Sequence, residues 1–400
     1  MKILHTSDWH LGNRMLDKSR TEEFRDFTTW LLQLMREKQV DALLISGDIF
    51  DNSTPGDSTL ELYHDFISKA DETGCRYIII TGGNHDGIAL LDSSGPLLKR
   101  HNTYMVSSLK KEESNKCLIP LQHRDGTPAA LVCAVPYLRP REVSLSVSPD
   151  ADINDGYIRG IRSVYDEVAT HAQEWKAANS GLPVICMGHL AVSGAEATAS
   201  THRTIGLLDE VSKSIFSETF DYVALGHIHK GYALDRGRIC YSGSPLPMGI
   251  DETENRHMLL VDVQQDGIRT EEIPVPLFTL PVRHECSNVD ELNALPGIVA
   301  KEAADCNRVC LQLIYSGDDL TTDQLKAKAD ELFKTLYHYK ITFRRPGMYM
   351  SVEEEEVDDG LKNKSPEDIF NICLEKHNLS PEMAAGVTAC FRKVLSDLNI

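Results

Sequence analysis

The sequence predicts an α/β fold on a mixed sheet, followed by a smaller α+β module and a short helical tail. Three observations carry this expectation. Short apolar runs alternate with amphipathic helical stretches from residue 2 to about 275. Five of those runs end in a loop that bears Asp, Asn or His. Beyond a cluster of prolines at Pro274, Pro276 and Pro281 the pattern changes.

The first run enters a strand at once and breaks at HTSDWH, which sets Asp8 and His10 two positions apart. Residues 19–38 then read as a crossover helix. Ser19 and Glu22 form a Ser-x-x-Glu capping box, and Phe24, Phe27, Leu31 and Leu34 share one face. A βαβ unit therefore joins Asp8 to the next strand, residues 42–45, and its loop GDIFD with Asp48 and Asp51. A second crossover leads to residues 77–80 and GNHD, with Asn84 and His85. Ile158, Ile161, Tyr165, Val168 and Trp175 mark a helix before residues 184–187, which end at His189. Residues 222–225 end in GHIH, with His227 and His229. Two further runs, 238–242 and 257–263, have no helix between them, which suggests a mixed sheet.

In the module over residues 276–345, Val309, Leu311, Leu313 and Tyr315 alternate as a half-buried strand. Leu325, Ala329, Leu332 and Leu336 follow at helical spacing, and residues 339–343 return as a strand. Residues 346–364, with Glu353, Glu356, Asp358 and Asp359, read as an acidic solvated linker. Residues 365–400 offer two helix starts of one form, Ser365-Pro366-Glu367 and Ser380-Pro381-Glu382. Met383, Val387, Phe391, Val394 and Leu398 make an apolar stripe on the second helix. Two short helices bury little alone, so the stripe packs on the main body or on a partner.

At 400 residues the chain exceeds one ordinary core, and 42% hydrophobic content is ample for burial. No run approaches a membrane span and no signal-peptide pattern opens the chain, so a soluble cytoplasmic protein is expected. The ten cysteines lie mostly inside apolar runs with no CxxC pair, and read as buried thiols in a reducing compartment. The net charge of −19 opposes a broad nucleic-acid surface. Any DNA contact must be locally basic, with Arg14, Lys18, Arg20, Arg139 and Arg141 as candidates, or supplied by a partner.

The loops point to one chemistry. Each leaves the carboxyl end of a strand, where α/β folds collect ligands. Phosphodiester hydrolysis needs water placed in line with a leaving oxygen while charge grows on phosphorus oxygens. Two cations about 3.5–4 Å apart serve both needs. Such a pair takes a bridging carboxylate, hard oxygen ligands and neutral imidazoles, a mix that suits manganese better than calcium. His64 and His171, on helical stretches, and His5, inside the first strand, read as structural or surface residues.

The ordered series D-x-H, GD-x-x-D, GNHD, GH and GH-x-H resembles the calcineurin-like metallophosphoesterase superfamily. The flanks HTSDWHLG, VPYLRPRE and YSGSP are similar to its DNA nucleases that work with an SbcC-type ATPase. The resemblance covers about the first 250 residues by motif and the remainder only in layout. It implies an αββα sandwich over residues 1–275, a capping domain and a C-terminal helix pair that docks on the ATPase. It also implies a homodimer within a heterotetramer, with residues 58–70 as the counterpart of the pairing helices. Carried over by motif, Asp8, His10, Asp48 and His229 hold one divalent ion, and Asp48, Asn84, His189 and His227 the other. Manganese is the expected ion, with magnesium the alternative. His85 faces the scissile phosphate as a catalytic group, and the Asp51 carboxylate holds its tautomer.

The implied activity is an ATP-dependent double-strand exonuclease and a single-strand and hairpin endonuclease, acting on DNA in repair and recombination. Protein phosphatases of the superfamily carry Arg directly after GD-x-x-D, where this chain has Asn52. The alternative is a small-substrate metallophosphodiesterase acting on cyclic nucleotides or lipid precursors. A metal-free scaffold on the same fold expects eroded ligands, and none is eroded here. No GxxxxGK[ST] loop occurs, so any ATP dependence requires the partner.

Overall fold

A computed structural model describes residues 1–99, 102–143, 153–193, 211–252, 254–264, 267–303 and 306–344, together with Thr388 and Phe391. Met1–Phe343 form one compact unit and Arg344–Ile400 a second. The linker and helix pair expected beyond residue 345 lie outside the described residues, apart from Thr388 and Phe391, which are helical and half-buried.

In chain order the strands are β1 (Lys2–Thr6), the short hairpin β2 (Arg14–Met15) and β3 (Lys18–Ser19), β4 (Ala42–Ser46), β5 (Tyr77–Thr81) and β6 (Thr103–Val106). Then come β7 (Leu118–Gln122), β8 (Pro128–Ala134), β9 (Val184–His189), β10 (Tyr222–Gly226), β11 (Tyr232–Leu234) and β12 (Ile239–Tyr241). The remainder are β13 (His257–Gln264), β14 (Gly267–Pro274), β15 (Leu280–Cys286), β16 (Val309–Tyr315) and β17 (His338–Phe343). Two six-stranded sheets run β14-β13-β1-β4-β5-β6 and β11-β12-β10-β9-β8-β7, and both are mixed. In the first, β1, β4, β5 and β6 are parallel while β13 runs antiparallel to β1. In the second, β8, β9, β10 and β12 are parallel.

The sheets pack face to face, and the period-two alternation of strands decides what lies between them. On β4, Ala42 and Leu44 enter the inter-sheet core with Ile79, Val132, Met187 and Ala224. Leu43 and Ile45 turn the other way, under helices α1 (Thr21–Lys38) and α2 (Asp57–Asp71). Burial on both faces is why β4 reads as a continuous apolar run. After α3 (Ile88–Leu98) and the single turn α4 (Pro140–Val143), helix α5 (Ile153–Ala178) lays Ile161, Tyr165 and Val168 on the outer face of the second sheet. The result is the four-layer αββα arrangement.

Helix α1 begins differently from the sequence expectation. Its N-cap is Arg20, with no side-chain cap, and Ser19 sits in β3 with its hydroxyl 2.9 Å from Thr21 Oγ1. The hairpin takes up the residue that the capping box needed. The apolar face is as expected, with Phe24, Phe27, Leu31 and Leu34 buried.

The third sheet, β15-β16-β17, is all parallel, with α6 (Val289–Ala303) and α7 (Thr322–Leu332) as its crossovers. Strand β16 is buried on both faces rather than half-buried, because Cys310 and Ile314 are covered as fully as Leu311 and Leu313. Arg308 ties this module to α1 through Asp26 at 2.6 Å, and Lys340 reaches Asp17 at 2.6 Å. Eight described cysteines are free thiols, and seven of them are buried. No helix among the described residues is long and apolar enough to cross a membrane.

Candidate metal centre

Because β1, β4 and β5 are parallel neighbours, as are β9 and β10, the two sheets bring all five motif loops to one edge of the sandwich. The loops after β1 and β4 are zipped together. Asp8 N donates to Gly47 O at 3.0 Å, His10 N to Asp48 O at 3.0 Å and Leu11 N to Ile49 O at 2.8 Å. Within these loops Asp8 (φ 52°), His10 (φ 46°) and Asp48 (φ 50°) are left-handed, as is His227 (φ 93°) on the loop after β10. Each such non-glycine residue costs about 1–3 kcal/mol, a strain typical of functional sites. Two glycines make room. A Cβ on Gly83 would lie 2.1 Å from Asp48 Oδ1, and one on Gly47 would lie 2.2 Å from His189 Nδ1.

The side chains converge in three overlapping groups whose ligand atoms lie within 4.8 Å of one another. One is Asp8, His10 and His229; the second is His10, Asp48 and His85; the third is Asp48, His189 and His227. Asp48 Oδ2 lies 3.7 Å from His10 Nε2 on one side and 3.2 Å from His189 Nε2 on the other. Asn84 Oδ1 lies 3.0 Å from both His189 Nε2 and His227 Nδ1. Asp8 is fixed by Ser7 Oγ at 2.6 Å and by the His227 amide at 3.0 and 3.1 Å. Asp8, His10, Asp48, His189 and His229 are buried, whereas Asn84, His85 and His227 are half-buried and form the open face.

Asp48 and His189 shift each other in opposite directions. Burial alone would raise the Asp48 carboxyl, but His189, His10 and His85 outweigh it and hold Asp48 well below the usual range. Burial opposes charge on His189, yet Asp48 beside it pushes its pKa up to about 9. His189 Nδ1 donates to the Ser46 carbonyl at 2.8 Å. Its Nε2 therefore faces two oxygen acceptors, Asp48 Oδ2 and Asn84 Oδ1, and only a proton or a metal ion satisfies all three. His227 goes the opposite way, lowered to about 3 by burial and then by His189. His10 Nε2 is buried with no hydrogen-bond partner.

Three predicted side chains stand elsewhere. No hydrogen bond joins the Asp51 carboxylate to His85: it lies 3.6 Å from His10 Nδ1 and accepts from Asn13 at 3.1 Å. His85 Nδ1 donates instead to the backbone carbonyl of Asp51 at 2.8 Å, while His85 N donates to Asp48 Oδ1 at 2.9 Å. The turn after Asp48 swings the side chain of Asp51 toward the first loop and leaves its carbonyl behind the imidazole. Arg20 is buried against Glu23 at 2.8 Å and the Pro247 carbonyl at 2.7 Å, so it offers DNA nothing. Arg139 is turned inward, with Nη2 donating to the carbonyls of Gly83 at 3.3 Å and Asp86 at 2.9 Å. His5 is structural, bonding Tyr222 Oη at 3.0 Å and Leu225 O at 3.2 Å across the sheets.

Other residues were not legible as site residues. Asp86, the last letter of GNHD, accepts from the amides of Gly83 (2.8 Å), Phe50 (3.0 Å) and Ile49 (3.2 Å). It braces two loops at once, and burial, then Asp48, raise it to about 6. Its place in the motif was the available signal. Glu252 and Arg256 stand behind His229 with no motif to mark them. A cavity of about 770 Å³ at the opposite edge, lined by Pro183, Asp221 and Arg238 among others, holds none of these residues.

This geometry has its counterpart among known proteins. Residues 1–231 match the family model of the calcineurin-like phosphoesterases. The chain is also 34% identical to the D subunit of nuclease SbcCD from Escherichia coli K12 over 69% of each chain. It is 30% identical to that of Rhodobacter capsulatus over 81% of this chain and 82% of the relative. The Bacillus subtilis counterpart is 28% identical over 63% of each. The chain belongs to the calcineurin-like phosphoesterase family, and within it to the family formed by the D subunits of nuclease SbcCD.

Proposed function

We propose that this protein is a two-metal DNA nuclease acting with an SbcC-type ATPase. The observation that carries the reading is the position of Asp48, shared by two of the three ligand groups and flanked by imidazoles from opposite sheets. Asp8, His10, Asp48 and His229 hold the first ion; Asp48, Asn84, His189 and His227 hold the second. The residues fit such ions: an orphaned buried imidazole nitrogen, an imidazole facing only acceptors, and a mixed N/O donor set that favours Mn²⁺, with Mg²⁺ as the alternative. When bound, the pair supplies an activated water and neutralises charge on the phosphorus oxygens.

The chain's own groups do the rest. His85 is the catalytic imidazole rather than a ligand. With Nδ1 donating to the Asp51 carbonyl, its Nε2 is free to face the phosphate, stabilising the transition state or serving the leaving oxygen. Asp51 thus orients His85 through its backbone and His10 through its carboxylate.

The SbcCD relatives support nuclease chemistry and assembly with a second protein. The proposed substrates are duplex ends, single strands and hairpins of DNA. The net charge of −19 makes binding by the isolated chain weak and salt-sensitive, improving with a partner. In this reading residues 1–275 are the nuclease body, 276–345 the cap, 346–364 a linker and 365–400 the dock for the ATPase, on a homodimer in the cytoplasm.

The test is Mn²⁺-dependent cleavage of linear duplex, hairpin and small diester substrates, with and without the ATPase. Cutting of DNA, stimulated by partner and ATP, is expected. Hydrolysis of small diesters alone moves the reading to a small-substrate phosphodiesterase. Truncation near Gly360 should keep basal cleavage and lose co-purification with the ATPase; a truncated chain that still co-purifies places the dock elsewhere.

A further inference from the structure

The two candidate metal positions are backed differently. Behind Asp8, His10 and His229 stand two carboxylates: Asp51 Oδ1 is 3.6 Å from His10 Nδ1, and Glu252 Oε1 is 3.8 Å from His229 Nδ1. Behind His189 stands the neutral Ser46 carbonyl at 2.8 Å. His227 Nδ1 faces the amide oxygen of Asn84 at 3.0 Å. The first position also has a carboxylate of its own in Asp8, whereas the second has only its share of Asp48.

Glu252 is buried at 6% exposure and held from two directions. Its Oε2 accepts from Arg256 Nη2 at 2.6 Å and from the Met248 amide at 2.9 Å, leaving Oε1 toward His229. Arg256 Nη1 donates to the His229 carbonyl at 2.7 Å. One guanidinium therefore grips both the backbone of His229 and the carboxylate beside its ring. A buried ion pair adds little net stability over apolar residues of similar size. What this pair supplies is the placement of negative charge behind an imidazole, which fixes the ring and raises its basicity as a ligand.

We propose that Glu252, held by Arg256, is a positioning residue for His229 and makes the Asp8–His10–His229 position the tighter of the two, filled first. The proposal rests on the two-metal reading above. Metal-stripped full-length protein is titrated with Mn²⁺, following stoichiometry and affinity by calorimetry and ion coupling by electron paramagnetic resonance. Two ions should bind stepwise, the first with an isolated-ion spectrum and the second bringing coupling. Glu252→Gln should weaken the first step about 10–100-fold and leave the second in place. Asn84→Ala should keep the tight ion and lose the weak one.

Should Glu252→Gln fail to fold, Arg256→Lys, which keeps the charge but cannot grip both groups, should weaken the same first step. An unchanged first affinity in Glu252→Gln, or loss of the tight ion in Asn84→Ala, overturns the proposal. Failure of the unsubstituted protein to bind Mn²⁺ overturns the two-metal reading itself, and this inference with it.

Discussion

The half of the site contributed by the first sheet and the half contributed by the second are built on opposite plans. Asp8, His10, Asp48, Asn84 and His85 leave β1, β4 and β5; the loops after β1 and β4 are zipped together by backbone hydrogen bonds, and Asp8, His10 and Asp48 are left-handed. Those loops are locked from below by the Asp86 carboxylate, which takes three amides. The second sheet contributes imidazoles alone, and they are steadied mainly by oxygen acceptors: the Ser46 carbonyl behind His189 and Glu252 beside His229. The first half thus supplies the carboxylates and most of the left-handed backbone, and the second supplies imidazoles. Chemistry should therefore be more sensitive to losses from the first half.

The largest expected effect follows from Asp48, the carboxylate assigned to both metal positions. Asp48→Ala should abolish cleavage of every substrate while circular dichroism reports an intact sandwich, because Asp48 belongs to the loops and not to the apolar core. Full activity would erase the distinction between the halves.

His85→Ala comes next, with a fall of about 10²–10⁴-fold in turnover and metal content retained, as a positioned acid or base is worth that much. Loss of metal together with activity would instead make His85 a ligand, a possibility the His10–Asp48–His85 grouping allows.

Asp51→Asn sharpens the comparison inside the first half. The carbonyl behind His85 survives this change while the carboxylate behind His10 is lost, so Mn²⁺ affinity should fall about tenfold. Turnover at saturating Mn²⁺ should stay near that of the unsubstituted protein. A lowered rate at saturation would return the carboxylate to a role at His85.

The smallest effect concerns the tie between the halves. His5, on β1, bonds Tyr222 and Leu225 of β10, and burial lowers its pKa to about 3. Its folded pKa lies below the unfolded value, so His5 leaves stability intact above about pH 6.5 and costs it as pH falls from there toward 3. Between pH 7 and 5 this amounts to about 2 kcal/mol. Denaturant titrations should show a smaller acid loss in His5→Gln than in the unsubstituted protein.

The candidate ligands were legible because each lies on a loop leaving an apolar strand, and strand ends are where sequence and geometry coincide. The strands themselves were legible where burial on both faces made continuous runs, as in β4 and β9. Strand β8, PAALVCA, and strand β15 gave no such signal, since short apolar runs serve helix and strand alike. Helix α6 carries Pro296 and Gly297 in its interior, which argues locally against the helix that tertiary packing imposes. Backing residues were the least legible. Glu252 and Arg256 reach His229 only through the fold, and Asp51 places its carbonyl and its carboxylate on different imidazoles, a split that no motif encodes.

The order of strands also governs when the enzyme can become dangerous. Strand β13 inserts beside β1, so the first sheet is completed by residues more than 250 positions after its opening strand, and the last ligand, His229, arrives on the other sheet. Pairings of such long sequence separation form late. A nascent chain shorter than 189 residues holds Asp8, His10, Asp48 and Asn84 but none of the opposing imidazoles. The candidate site is thus complete only once residue 229 has been made, and a nascent chain short of that point lacks part of it whatever strands have already paired.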